Sequence, residues 1–389
     1  MTKRHVEISG AGLGGLSAAI AFARSGWSVT VHERAPRIRA TGAGIFIAEN
    51  GIRVLEALGA DREALRGGIP FYTREARDQN GKVIGAHHWP KGSGLRIQVL
   101  SRETLVQALA GVARELGVEI CLDSQVVGAD AGGTLYLEGG VARQADLVVG
   151  ADGVNSLMRD SMKFEGTRQS LRSGAIRAIV PRFEADRDLP EDTYAEYWSG
   201  KRRVFFAPVS RDATFLALMT VSDDREGSRE PPNLESWIET FPAIGHVLQR
   251  IDNPLRWALF EEIKLKSWSK GKVALIGDAA HAMAPNLGQG GGTALMDGIS
   301  LATNLADDRE DLATALRRWE SRERPVVDRV QWYSSLYGRL CDWPVTTRNF
   351  ALWLLGKSEW LKKQRMCAHE FKADGVSTAP LPEGVASHA

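Results

Sequence analysis

At 389 residues, 43% of them hydrophobic and 25% charged, the chain has the make-up of a soluble globular protein and exceeds what one hydrophobic core usually supports, so two closely packed domains are expected. Its 49 Lys and Arg against 48 Asp and Glu leave a formal charge of +1, which removes the electrostatic ground for a nucleic-acid or membrane-surface partner. The cysteines Cys121, Cys341 and Cys367 are too scattered for a disulfide framework or a metal site, no apolar run approaches the ~20 residues of a membrane span, and the first residues lack a secretory signal, so a cytoplasmic protein without a bound metal is expected.

The amino-terminal stretch carries a βαβ pattern. Residues 6–9 read as a strand, Gly10-x-Gly12-x-x-Gly15 as a tight turn, 16–25 as a small-residue helix and 27–32 as a second strand ending in Glu33. Each part has a physical purpose in holding a dinucleotide. Gly10 permits the turn, Gly12 lets the backbone approach a pyrophosphate, Gly15 lets helix pack on strand, and Glu33 is placed to accept hydrogen bonds from ribose hydroxyls. A glycine-rich loop at 39–46 follows, then an amphipathic helix marked by Ile52, Leu55 and Leu58.

Residues 71–88 predict a hairpin with Asn80-Gly81 in a two-residue turn. Ser101 is an amino-terminal cap for a helix over 102–116, and short strands alternate from 118 to 145 between glycine pairs. A buried strand then ends in an Asp152-Gly153 turn, read either as a structural turn behind a cofactor or as a nicotinamide contact. From 174 to 263 the pattern becomes antiparallel strands rich in aromatics, interrupted by a helical segment at 233–250. Helices are expected over 293–305, 312–321 and 325–340, with a loose end from 373.

The stretch from 272 to 297 organises the chain. A short apolar strand delivers Asp278 to its carboxyl end, where open α/β sheets place ligands, and Pro285 and the glycines Gly288 to Gly292 open a helix whose amino terminus favours an anion. His281 reads as a structural hydrogen-bonding side chain. There is no second Gly-x-Gly-x-x-Gly and no redox cysteine pair, which excludes a disulfide reductase that binds two nucleotides.

These three motifs in this order resemble the single-component FAD-dependent aromatic hydroxylases, the para-hydroxybenzoate hydroxylase-like flavoprotein monooxygenases. Stretches at 42–45, 50–56, 176–182 and 267–278 are most similar to the pyridine-ring branch, the 2-methyl-3-hydroxypyridine-5-carboxylate oxygenases. The resemblance implies an α/β fold in which a Rossmann-like FAD-binding domain (1–70, 96–173, 264–345) is interleaved with a mixed or antiparallel β-sheet substrate domain (71–95, 174–263), with a helix and tail at 346–389. It puts Gly10, Gly12, Leu13 and Gly15 on the FAD pyrophosphate, Glu33 and Arg34 at the adenosine, Arg39, Gly44, Arg102, Val126 and Asp278 along the cofactor, and the amides of Gly290, Gly291 and Gly292 at the flavin.

The resemblance further implies NADH or NADPH as co-substrate, O2 as oxidant, and hydroxylation of a hydroxylated pyridinecarboxylate by a flavin C4a-hydroperoxide, with or without ring opening. The Pro285 backbone would face the reacting edge. Tyr72, Arg177 and Arg203 fall on the substrate positions, where guanidinium suits a carboxylate, and Phe46 and Phe215 stand where that branch has tyrosines. Alternatives are a salicylate-type or other phenolic-acid hydroxylase, and a non-catalytic flavin-binding module. In the module, Trp343, Trp353 and Trp360 would dock a partner; otherwise they pack between helices or in a homodimer.

Overall fold

Short apolar runs punctuated by glycine build a six-stranded sheet from four distant parts of the chain, in a computed structural model that describes residues 3–38, 44–186, 189–252, 256–307 and 310–376. Its order is Ser269–Lys270, Val273–Leu275, Leu147–Gly150, His5–Ser9, Ser28–His32 and Glu119–Cys121, parallel except for the first, antiparallel pair. The inner strands are buried; Leu147 to Val149 and Val273 to Leu275 read as continuous apolar runs, while His5–Ser9 and Ser28–His32 carry Glu7 and His32, which pair at 2.7 Å. Parallel order sends five carboxyl ends to one edge, and at four of them stand Gly10, Glu33, the Asp152 turn and the Gly277-Asp278 turn. The fold thus gathers every dinucleotide motif of the sequence on one rim.

Against this sheet the helices Leu13–Arg24 and Gly290–Asn304 lie in close contact. Ser17 donates its hydroxyl to the Leu295 carbonyl at 2.7 Å, and a Cβ on Gly298 would sit 2.5 Å from the Ala18 nitrogen.

A seven-stranded sheet follows the order Ala258–Leu265, Gly166–Pro181, Ala213–Val221, Arg202–Ser210, Thr193–Ser199, Thr73–Asp78, Val83–His88. All its pairs are antiparallel save Thr193–Ser199 with Thr73–Asp78. One face packs on the helical residues 234–248 through Ile176, Leu216, Leu218, Trp237 and Phe241. The other carries Arg203, Phe205, Phe215 and Tyr194, and meets the two-stranded sheet Gly44–Ala48 with Ile97–Ser101. A period of two along each strand puts Tyr194, Glu196 and Trp198 together on this second face. The expected boundaries after 173 and after 263 fall inside the strands Gly166–Pro181 and Ala258–Leu265.

Three local expectations change. The hairpin turn is longer than two residues, because the Asp78 Oδ1 accepts the amides of Asn80 and Lys82, each at 2.9 Å, and the strands rejoin at Arg77 and Val83. Of the Asn80-Gly81 pair only Gly81 has positive φ, at 86°. The helices expected on either side of Pro325 form one, Leu312–Gly338. A proline costs a helix interior about 3 kcal/mol, and tertiary anchors on both sides offset it: buried Trp319 before it, and Gln331 after it, which donates to the carbonyls of Ile263 and Ala282. The segment 233–250 divides at Pro242 into Leu234–Thr240 and Gly245–Leu248.

Candidate active site

Glycine at the rim serves two different needs. A Cβ on Gly15 would lie 1.9 Å from the Gly10 carbonyl oxygen, and one on Gly10 would lie 2.5 Å from that of Ala151, so both are required by the chain itself. A Cβ on Gly12 would meet nothing within 4 Å, so its glycine leaves room beside the helix start for something outside the chain. Glu33 holds its carboxylate across this mouth by accepting the amides of Ala11 and Ala35, both at 3.0 Å. Arg34 is exposed beside it, Leu13 is buried behind it, and Arg39 lies outside the described residues. Open space at the second glycine, an acid at the second strand's end and a free helix amino terminus are what an ADP moiety needs.

The second turn is held from behind. Gly277, at φ 59°, gives its amide to Asp297 Oδ2 at 2.8 Å, and the same oxygen lies 2.7 Å from His281 Nε2. Burial opposes a charge on His281, yet Asp297 outweighs it and raises the histidine pKa. His281 is buried against Trp268 and away from the rim, a structural side chain. Asp278 starts the next turn exposed at the edge.

Beyond it, Pro285–Leu287 forms a short 3-10 turn that closes when the Gly288 amide donates to the Pro285 carbonyl at 3.0 Å. The first helical bond of Gly290–Asn304 runs from Thr293 to Gln289 at 2.9 Å, so the amides of Gly290, Gly291 and Gly292 have no partner within their helix. The missing side chains of Gly291 and Gly292 also make room for Ile45 and Asn50.

The strand Gly44–Ala48 links cofactor rim and sheet face. A Cβ on Gly44 would come 2.7 Å from the Phe215 ring, and one on Gly288 would come 2.6 Å from Phe46. Phe46 meets Tyr194 edge-on at 5.6 Å and Phe205 at 6.4 Å, and Phe205 meets Phe215 at 5.9 Å. These rings form one wall with Tyr72, Phe71 and Trp89. Arg177 shares that face, half-buried, with its guanidinium 5.7 Å from the Phe260 ring; burial first, then the nearby Arg102 charge, lowers its pKa. No carboxylate accepts from it among the described residues.

Arg203, by contrast, is paired through its terminal nitrogens. Its guanidinium reaches Glu196 Oε2 at 3.4 Å and Asn286 Oδ1 at 2.5 Å, and lies 5.0 Å from the Trp198 ring. Glu196 also accepts Arg74 at 3.0 Å and the Tyr337 hydroxyl at 2.8 Å. Burial raises the Glu196 pKa, but the charges of Arg74, Arg203 and Arg365 prevail and hold it below the ordinary range.

Comparison with known proteins fixes the family. The FAD binding domain family matches residues 3–331. A putative 2-heptyl-3-hydroxy-4(1H)-quinolone synthase of Rhodococcus erythropolis is 38% identical over 96% of this chain and 98% of its own length. The chain belongs to the FAD-dependent aromatic monooxygenases. The 6-hydroxynicotinate 3-monooxygenase of Bordetella bronchiseptica is 27% identical over 85% of this chain and 90% of its own length. A crystal structure of a mutant 2-methyl-3-hydroxypyridine-5-carboxylic acid oxygenase matches with a TM-score of 0.84 at 37% identity, over 95% of this chain and 97% of that one.

For a flavin monooxygenase the residues divide clearly. The structure gathers Gly10, Gly12, Glu33, Asp278 and the Gly290 to Gly292 amides at the sheet's rim, and Phe46, Tyr72 and Phe215 on the wall beside it. Arg102 opens the helix Arg102–Glu115, close enough for its charge to act on Arg177. Val126 puts its side chain into the core under the sheet. Asp152 turns inward and accepts the Met158 amide at 3.2 Å, which makes it a brace for the helix Leu157–Ser161.

Sequence reading missed Arg74, Glu196, Asn286, Tyr337 and Arg365. The strand period offered a signal for one of them: Glu196 is the acid between Tyr194 and Trp198 on a face of aromatics. Among the described residues no cluster of His, Cys, Asp or Glu is placed to hold a metal ion, and no helix is long and apolar enough to cross a membrane.

Proposed function

We propose that this monooxygenase uses NADH or NADPH and O2 to hydroxylate a small hydroxylated pyridinecarboxylate, with or without ring opening. The observation that carries the reading is Arg177, a half-buried guanidinium on an aromatic wall with no carboxylate to neutralise it among the described residues. A buried cation left unpaired is costly, and a substrate carboxylate would relieve it through paired charge-assisted hydrogen bonds. Two relatives named for hydroxypyridine acids, at 37% and 27% identity, support the same class.

Bound FAD supplies the redox chemistry, turning nicotinamide electrons and O2 into an electrophilic oxygen. The chain's share is to hold it and to orient the ring. Gly12 and Glu33 would take the ADP end, Asp278 the ribityl chain, and the free amides of Gly290 to Gly292 the flavin edge, where a helix amino terminus favours negative charge. Phe46, Phe205 and Phe215 would cover one face of the substrate ring and keep water from it, while Arg177 fixes its direction. The Pro285 turn is held for this by Asn286, pinned between Arg203 at 2.5 Å and the Ser334 carbonyl at 2.9 Å.

A second reading has its own observation. Phe46 and Phe215 offer the ring no hydroxyl, and the 38% identical relative is named for a quinolone, so a 4-quinolone is the competing substrate. Purified protein loaded with FAD should oxidise NADH or NADPH in the presence of 6-hydroxynicotinate and yield a product that has gained one oxygen, with CO2 released if the oxygen enters at the carbon that bears the carboxylate and one water added if the ring opens. If only 2-heptyl-4-quinolone gives such a product, the pyridine reading falls; if neither ring does, both readings fall.

The 2-methyl-3-hydroxypyridine-5-carboxylic acid oxygenase has also been crystallised in a tetrameric form. We propose that this chain too self-associates, as a homodimer or larger, through the exposed aromatics of its carboxyl-terminal helices.

A further inference from the structure

Three guanidinium groups surround one carboxylate at the edge of the aromatic wall. Glu196 is buried on the strand Thr193–Ser199, and both of its oxygens are occupied: Oε1 by Arg74 at 2.9 Å, Oε2 by the Tyr337 hydroxyl at 2.8 Å and Arg203 at 3.4 Å. Arg365 comes from elsewhere, the last residue of the helix Glu359–Arg365, and stands 3.7 Å from Glu196 Oε1. At that distance it is a neighbour of the carboxylate, with no hydrogen bond to it. It also hydrogen-bonds Tyr194 and lies over the face of Tyr337, 5.0 Å away, a ring that also carries Arg203 at 5.3 Å and Arg74 at 5.7 Å.

The charge does not balance. Arg74 and Arg203 are almost wholly buried and the Arg365 side chain is 13% exposed, so water screens little of the surplus of two positive charges. Arg203 Nε, buried, has no hydrogen-bond partner among the described residues. The neighbouring histidines feel the same field. His87 falls to about 4 through burial and then the charges of Lys362, Arg365 and Arg74. His369 falls to about 3 through burial and then Arg365. Both are neutral at physiological pH, and the acid that acts on His87, Glu359, is paired with Lys362 at 2.7 Å. The Arg365 charge also acts on Tyr194, the residue against which Phe46 and Phe205 pack.

We propose that Arg365 completes a cationic seat, with Arg74 and Arg203, for the ionised or oxo oxygen on the substrate ring, opposite the carboxylate at Arg177. The assignment rests on the hydroxyaromatic reading of the site. It makes the carboxyl-terminal helix part of the substrate chamber, with Glu196 as the group that sets how much positive charge is left over. An oxygen substituent that carries negative charge gains from the surplus, and a ring lacking that oxygen gains nothing.

The test titrates the FAD-loaded protein with 6-hydroxynicotinate and with nicotinate, which lacks the ring oxygen, and reads binding from the flavin absorbance change. The wild type should bind the hydroxylated acid at least about tenfold more tightly, the worth of one hydrogen bond to a charged group. Arg365→Met should erase most of that ratio while FAD content and melting temperature stay within a few degrees of wild type. Arg365→Lys, which keeps the charge, should restore part of the ratio.

A wild type that binds the two acids equally overturns the seat. So does an Arg365→Met protein that keeps the wild-type ratio, or one that loses both acids alike. A protein that shows the ratio and its loss, yet hydroxylates no pyridine, overturns the proposed function and leaves the seat standing.

Discussion

Arg177 and Arg203 put the same side chain on the same sheet face and end in opposite electrostatic situations. Their letters in the sequence are equivalent, each an arginine among apolar strand residues. What separates them is pairing across strands: the hairpin register sets Trp198 opposite Arg203, and this brings Glu196 on the same face within reach. A sequence shows the alternation but not which strand lies beside which, so Arg203 reads as a free cation when it is half of a buried pair. Replacing Arg177 by Met should therefore raise the KM for 6-hydroxynicotinate and nicotinate alike, by about tenfold to a hundredfold, with FAD retained. Glu323 gives a second residue-level case, because both its carboxylate oxygens are buried and no cation pairs with them among the described residues. Burial foremost, then the charge of Asp297 and that of Asp374, raises its pKa to about 7, with Ser300 and His281 pulling the other way. A folded pKa above the unfolded value means that stability is full below about pH 4.5 and falls as pH rises through 7. The loss approaches about 3 kcal/mol above that. Glu323→Gln removes the titration, so its melting temperature should exceed that of wild type at pH 8 and match it near pH 4. Parallel melting curves across that range would refute the assignment.

At the scale of elements, glycine placement made the cofactor half of the site legible. The three-glycine turn is specific because it joins a strand to a helix and is followed by a second strand that ends in an acid, and the fold keeps all the parts in register. The sequence could not say which glycine serves the chain and which the ligand. Gly15 stands 1.9 Å from a carbonyl if given a Cβ, whereas Gly12, at φ −84°, has open space. Gly15→Ala should thus cost several kcal/mol, at or beyond the usual ~1–3 kcal/mol of an overpacked core, and appear as insoluble or low-melting protein. Gly12→Ala should fold with a melting curve like that of FAD-free wild type and bind FAD at least about tenfold more weakly, because its methyl occupies the space of a charge-assisted contact. Equal FAD affinity in Gly12→Ala would remove Gly12 from the pyrophosphate site. The opposite lesson comes from Pro325. A single-residue rule ends a helix there, but Trp319 on one side and Gln331 on the other are fixed by contacts more than forty residues away in sequence, and such contacts are invisible in local pattern.

At the scale of the whole molecule, the carboxyl-terminal helices pack on the seven-stranded sheet on one side and face solvent on the other. Val345–Lys357 packs its backbone close to the outer strand, where a Cβ on Gly356 would lie 2.9 Å from the Ala86 carbonyl oxygen. Arg365, one helix on, reaches the Glu196 cluster. The opposite side exposes Trp343, Phe350 at 62%, Trp353 and Trp360 at 66%, with Phe350 and Trp353 stacked 5.8 Å apart. The expectation that these tryptophans pack between helices within one chain is therefore not met, and a contact between chains is what remains of it. Scattered apolar side chains need no explanation, but large aromatics gathered on adjoining helices leave apolar surface that a second copy would bury. Light scattering should find the wild type larger than a monomer. The double substitution Phe350→Glu with Trp353→Glu should yield a monomer with its FAD intact, since neither ring touches the cofactor rim. Because the same helices carry Arg365, separation of the copies should also weaken the preference for 6-hydroxynicotinate over nicotinate if assembly steadies the chamber wall. A monomeric variant with an unchanged preference would show that each chain builds its substrate site alone.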